Sequence, residues 1–113
     1  MGASETTWRY AHIAVNRLVN AGVPVVAFGK KEGRIGDVVI VNELPDDKDI
    51  HTVTMYLNPQ HQENFKERLL AMNPERVIFN PGVENEEFEQ ILSKEGVEVL
   101  NACTLVMLSI GQF

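Results

Sequence analysis

Short apolar runs alternate along this chain with amphipathic stretches, and each run stops at a turn containing glycine, proline or asparagine. That alternation restricts the fold more than any other feature. Val23-Pro24-Val25-Val26-Ala27-Phe28 is nearly continuous in apolar residues and ends at Gly29, which fits a strand buried on both faces, as in a parallel sheet. Asp37 to Val41 is a second short strand, and Gly29 to Arg34 before it is a glycine-bracketed polar loop. Thr52 to Leu57 is strand-like and stops at Asn58-Pro59. Arg76 to Phe79 stops at Asn80-Pro81-Gly82, and Val97 to Leu100 at Asn101-Ala102. Between them the period changes to that of a helix. Residues 5–21 carry Trp8, Ala11, His12, Val15, Leu18 and Val19 on one stripe, with Ser4 to cap the helix and Gly22 to stop it. A helix over 59–72 starts at Pro59, which suits a first turn, and buries Phe65, Leu69 and Met72. Asn85 to Lys94 presents Phe88, Ile91 and Leu92, and Leu105 to Ile110 is a short apolar helix. The order α-β-β-β-α-β-α-β-α predicts an α/β fold with a mainly parallel sheet. At 113 residues the chain is expected to be a single domain over 1–113.

In a doubly wound fold of this kind, a small-residue turn follows a central first strand. Met1-Gly2-Ala3-Ser4 has the character of that turn but leads directly into a helix. The first strand is therefore expected to be missing, from truncation or a misplaced start. Its neighbours would be left with unpaired edges, which dimerisation can manage.

Composition narrows the function classes. A hydrophobic fraction of 44% excludes global disorder, and no apolar run approaches a membrane span. The start lacks the basic and apolar regions of a signal peptide. With one cysteine and three histidines lacking metal-pair spacing, neither a disulfide framework nor a multi-cysteine zinc site is expected. The chain reads as cytoplasmic. Ten basic residues against sixteen acidic, a net charge of −6, argue against nucleic acid. They leave room for one small anionic ligand at a locally basic site.

Ligands of open α/β sheets bind beyond the carboxyl ends of the strands. The segments there are Gly2-Ala3-Ser4, Gly29-Lys30-Lys31, Asn58-Pro59-Gln60, Asn80-Pro81-Gly82 and Asn101-Ala102-Cys103-Thr104. Each is also a good turn in its own right. A Gly-Ala-Ser turn at a helix start offers N–H groups to a phosphate, and Arg9, beside Tyr10, can reach one. The dinucleotide fingerprint G-x-G-x-x-G is absent, as is the acid that takes a ribose hydroxyl. Lys30 and Lys31 stand in that place, favouring a ribose phosphate: the 3′-phosphate of coenzyme A (CoA) or the 2′-phosphate of NADP. A solvated lysine pair is the plain alternative. His12 reads as a partly buried core histidine. Cys103 reads as a buried structural thiol before it reads as an activated one. Glu84, Glu86, Glu87 and Glu89 surround a helix start, where acids complement the dipole.

Gly2-Ala3-Ser4, then Arg9-Tyr10-Ala11 and Ala14 to Leu18, resemble the first helix of the small stand-alone CoA-binding proteins. These are related to the CoA-binding domain of the succinyl-CoA synthetase alpha subunit. Thr52 to Gln60, Arg76 to Gly82 and Ala102 to Phe113 resemble one branch of the same family, so the likeness spans nearly the whole chain. It implies a three-layer Rossmann-like CoA-binding domain and a CoA or acyl-CoA ligand. Carried over by position, Gly2, Ala3 and Ser4 are expected at the diphosphate and Lys30 and Lys31 near the adenosine phosphate. Tyr56, Asn58 and Pro59 fall on the adenine or diphosphate side, and Asn80, Pro81 and Gly82 along the pantetheine path. The synthetase works through a phosphohistidine in a second domain, so acyl-CoA synthesis by this chain alone is not expected.

The expected function is thus a CoA-binding module without catalysis of its own. The candidate contacts are Gly2, Ala3, Ser4, Arg9, Tyr10, Gly29, Lys30, Lys31, Tyr56, Asn58, Pro59, Asn80, Pro81, Gly82 and Cys103, with no metal. The alternatives are an NADP-binding domain, which shares the fold and the lysines, and a non-catalytic interaction subunit with an empty crevice. A weaker alternative makes Cys103 a thiol that exchanges with CoA disulfide.

Overall fold

In the computed structural model, described over residues 1–2, 10–29, 31–43 and 50–113, the later strands build the parallel sheet that the sequence predicts. The chain divides into two compact units, Pro45–Cys103 and Met1–Leu44 with Thr104–Phe113.

In the unit Pro45–Cys103, β4 (Thr52–Met55), β5 (Arg76–Phe79) and β6 (Glu98–Asn101) lie in the order β4-β5-β6, all parallel. Val77 and Ile78, both β-branched, and Phe79 make the central strand apolar, and all three are fully buried. Parallel neighbours need crossovers. Here they are α2 (Pro59–Gln62), a 3-10 turn (Glu63–Phe65) and α3 (Lys66–Met72), then α4 (Glu86–Lys94). Leu69 and Met72 bury one crossover, Phe88 and Leu92 the other. The rings of Phe79 and Phe88 meet edge to face at 6.0 Å and 83°. The single helix expected over 59–72 is thus interrupted. Phe65 leaves the helical region at φ −123°, and α3 starts anew after it.

The other unit holds α1 (Tyr10–Asn20), β1 (Ala27–Phe28), β2 (Gly33–Ile35), β3 (Val38–Val41) and α5 (Thr104–Ser109). Its sheet order is β1-β3-β2, with β1 parallel and β2 antiparallel to β3. Val15 of α1 packs with Ala27, Ile35 and Ile40, flanked by Val25 and Val38. One main-chain bond joins the chain start to β1: the Gly2 N–H donates to the Phe28 carbonyl at 2.9 Å.

Three expectations are corrected in this unit. The run Val23 to Phe28 is a strand only at Ala27–Phe28, because β3 offers it partners at just those two positions. Pro24, which has no N–H to donate, and Val26 are exposed. The polar loop Gly29 to Arg34 instead yields β2. Gly36, at φ 59°, and Asp37 form a two-residue hairpin that pairs Ile35 with Val38; glycine takes the positive φ such a turn demands. On α1 the buried stripe is Ala11, Ala14, Val15 and Leu18, while Val19 is 45% exposed. Among the described residues no helix is long and apolar enough to cross a membrane.

Candidate functional site

The register of the Pro45–Cys103 sheet fixes where its turns emerge. Met55 lies beside Phe79, and Phe79 beside Asn101. The segments after β4, β5 and β6 therefore leave the sheet from one row, at its carboxyl edge. Tyr56, Asn58, Pro59, Asn80, Pro81, Gly82 and Cys103 all follow that row.

After β4, Asn58 caps α2. Its side-chain oxygen accepts the His61 N–H at 3.1 Å, and Pro59 occupies the first turn. Tyr56 is half-buried and Asn58 exposed. After β5, Asn80 is 3% exposed. Its side-chain amide donates to the Met55 carbonyl at 2.9 Å and its main-chain N–H to the same oxygen at 3.3 Å. Asn80 therefore holds its turn against the end of β4. The turn closes when the Val83 N–H donates to the Asn80 carbonyl at 3.1 Å. Proline then glycine at φ 94° between them is the type II arrangement. Pro81 and Gly82 are exposed at its tip. After β6 the Ala102 N–H donates to the Phe79 carbonyl at 3.2 Å, and Cys103 is half-buried.

A chain of side-chain hydrogen bonds runs beneath these turns, through residues the sequence does not single out. Gln62 is fully buried. Its amide nitrogen donates to the Leu57 carbonyl at 2.8 Å and to the Val83 carbonyl at 2.9 Å. Its oxygen accepts from the Asn85 side chain at 3.0 Å. Asn85 caps α4 by accepting the Phe88 N–H at 3.2 Å and donates its own N–H to Glu89 at 2.9 Å. The other oxygen of Glu89 accepts from the Asn101 side chain at 2.7 Å. The ends of β4, β5 and β6 are thus stitched together. The one sequence signal for Gln62 is its phase, since it precedes Phe65, Leu69 and Met72 on the inward stripe. Two of the acids around the α4 start hold main-chain groups: Glu84 accepts the Gly82 N–H at 2.9 Å, as Glu89 accepts that of Asn85.

In the other unit Gly2 and Gly29 meet at the end of β1. Gly2 bonds Phe28, and the Gly29 N–H donates to the Val41 carbonyl at 3.0 Å. Both N–H groups therefore serve the sheet. Lys31 is exposed, and Tyr10, at the first turn of α1, is 71% exposed. His12 is half-buried, as a core-edge histidine would be. Ala3, Ser4, Arg9 and Lys30 lie outside the described residues. Among the described residues no cluster of His, Cys, Asp and Glu could hold a metal ion.

The strand-end row thus gathers Tyr56, Asn58, Pro59, Asn80, Pro81, Gly82 and Cys103 along one edge of a braced sheet. The model of one family, described as a CoA binding domain, matches residues 1–109. The chain belongs to this CoA-binding family. The match runs through both units. Among solved structures, the crystal structure of an uncharacterized protein is 47% identical, with a TM-score of 0.96, over 99% of this chain and 93% of that one. A structure from Thermus thermophilus is 23% identical, with a TM-score of 0.85, over 100% and 87%. A conserved hypothetical protein from Pyrococcus furiosus is 26% identical, with a TM-score of 0.78, over 93% and 92%. No curated protein matches. The fold is therefore shared across these structures.

Proposed function

We propose that this chain binds CoA or an acyl-CoA as a cytoplasmic recognition module, without a reaction of its own. Membership of the CoA-binding family is the observation that carries the reading, and the braced row of turns after β4, β5 and β6 supports it. In this reading the whole of 1–113 acts as one CoA-binding domain. Tyr56, Asn58 and Pro59 serve the adenine or diphosphate side, and Asn80, Pro81 and Gly82 border the pantetheine arm, with Cys103 beside it. Gly2, Ala3, Ser4, Arg9 and Tyr10 serve the diphosphate. Gly29 turns the chain toward Lys30 and Lys31, which neutralise the 3′-phosphate.

The test is thermal stability with CoA, acetyl-CoA, dephospho-CoA, NADP and NAD at equal concentration. A ligand that binds only the folded state stabilises it by about 2.7 kcal/mol at one hundred times Kd. CoA and acetyl-CoA are expected to raise Tm, dephospho-CoA less, and NAD not at all. A larger rise with NADP than with CoA replaces the reading by an NADP-binding one. No rise with any of them leaves an interaction subunit.

The lysine assignment has its own test. Exposed charge contacts contribute roughly 0.2–1 kcal/mol each. Reversing both charges, Lys30→Glu with Lys31→Glu, is expected to weaken CoA roughly tenfold or more. Dephospho-CoA, which lacks the 3′-phosphate, should bind the variant nearly as it binds the parent. Equal loss for both ligands in calorimetric titration would move the phosphate elsewhere.

A further inference from the structure

We infer that Gln62 is a positioning residue that sets the spacing between the β4 turn and the β5 turn for CoA. The inference rests on the CoA reading, because those turns carry the proposed contacts.

A primary amide has two N–H donors and one carbonyl acceptor. Gln62 is fully buried and spends both donors on main-chain carbonyls, Leu57 at 2.8 Å and Val83 at 2.9 Å. These carbonyls sit one residue before Asn58 and one residue after Gly82. Gln62 therefore clamps the two turns at the residues that flank their exposed tips. Its acceptor is taken by Asn85 at 3.0 Å, which ties the clamp to the α4 cap. The opposite amide orientation would set an oxygen against two carbonyl oxygens, so the donors must face Leu57 and Val83. Nothing of similar size replaces this. An aliphatic side chain leaves the buried Leu57 carbonyl and the half-buried Val83 carbonyl without the donor, and a carboxylate presents charge to them.

Two variants and a control test it. Gln62→Leu removes the clamp at similar volume. Gln62→Glu keeps the shape but has no proton to donate when ionised, and the two facing carbonyls and burial push its carboxyl above the usual range. Met72→Ala destabilises the same unit from the far end of α3, where Met72 is buried away from both turns. CoA affinity is measured by calorimetry under conditions where circular dichroism shows each protein folded. Gln62→Leu is expected to lose at least tenfold in affinity, and Met72→Ala less than twofold. Relative to the parent at each pH, Gln62→Glu is expected to regain affinity as pH falls from 8 to 5.5, because the protonated acid donates one bond. If Gln62→Leu does not fold, the pH profile of Gln62→Glu decides. Variants that match the parent within twofold at every pH, or a loss no larger than that of Met72→Ala, overturn the inference and leave the CoA reading standing. A parent chain that does not bind CoA overturns both.

Discussion

Phe88→Ala is expected to cost the fold roughly 3–5 kcal/mol, the range for removing a buried aromatic ring from a core. Phe88 is fully buried on α4 and meets Phe79 of the central strand edge to face at 6.0 Å. The edge-to-face pair adds about 0.5–1.5 kcal/mol beyond the area buried. The Lys66 ammonium lies 5.5 Å from the Phe88 ring centre, so a third element leans on the same ring. Glu63 pairs with that ammonium, and the truncated site would leave the pair over a void. Domains of this kind are stable by only about 5–15 kcal/mol. The variant should therefore unfold at a much lower urea midpoint with an unchanged slope. Phe88→Leu, which keeps most of the volume, should lose less than half as much. A loss below about 1 kcal/mol for Phe88→Ala would mean that α4 does not pack on β5 through this ring.

The same region shows why part of the fold is legible in sequence. Arg76 to Phe79 is short, β-branched and bounded by turn residues, and it emerges as β5 with those same limits. Phe88, Ile91 and Leu92 recur at helical spacing, so α4 follows, and the structure moves its start by one residue by making Asn85 the cap. What fails is decided by partners the pattern does not contain. Val23 to Val26 are as apolar as Ala27 and Phe28, but a strand exists only where β3 supplies a ladder. Gly33-Arg34-Ile35 is too short and polar to read as a strand alone, and the Gly36-Asp37 turn makes it one by folding it onto β3. Val19 matches the helical period and still faces outward.

The candidate site divides along the same line. Turn residues announce themselves: Asn58-Pro59 and Asn80-Pro81-Gly82 are cap and turn chemistry, and the parallel order of strands puts them on one edge. The braces beneath are not announced. Gln62, Asn85, Glu89 and Asn101 bond across as many as 23 residues of sequence, and nothing local marks a glutamine as a clamp. Asn80 is visible as a turn residue, while its bond to Met55 needs the neighbouring strand to exist. The family resemblance names a ligand because it matches many weak signals at once. It does not supply the internal bonds that hold those signals in place.

The stability of the 113-residue chain is expected to rise with pH between about 5 and 8, driven by its first residue. Burial pushes the Met1 amino group from 8.0 down to about 5. In the unfolded chain that amine keeps its proton up to about 8, whereas in the fold it keeps it only below about 5. Across this window the unfolded state therefore binds more protons, and the sign of linkage makes the fold gain stability as pH rises. At 1.36 kcal/mol per unit the full span amounts to at most about 4 kcal/mol. Above pH 8 both states are neutral, and below pH 5 both are charged, so the effect is flat outside the window. Carboxylates titrate over part of the same range, and acetylating the amine isolates its share, because an acetylated terminus has no proton to lose. The measurement is urea unfolding of a synthetic chain with Met1 retained, free and acetylated, at half-unit steps from pH 4.5 to 8.5. The difference between the two curves should slope through the window and level off at both ends. A difference that does not change with pH would mean that the amine is solvated in the fold, and that Met1 does not lie against Phe28's strand as its bonded neighbour Gly2 does.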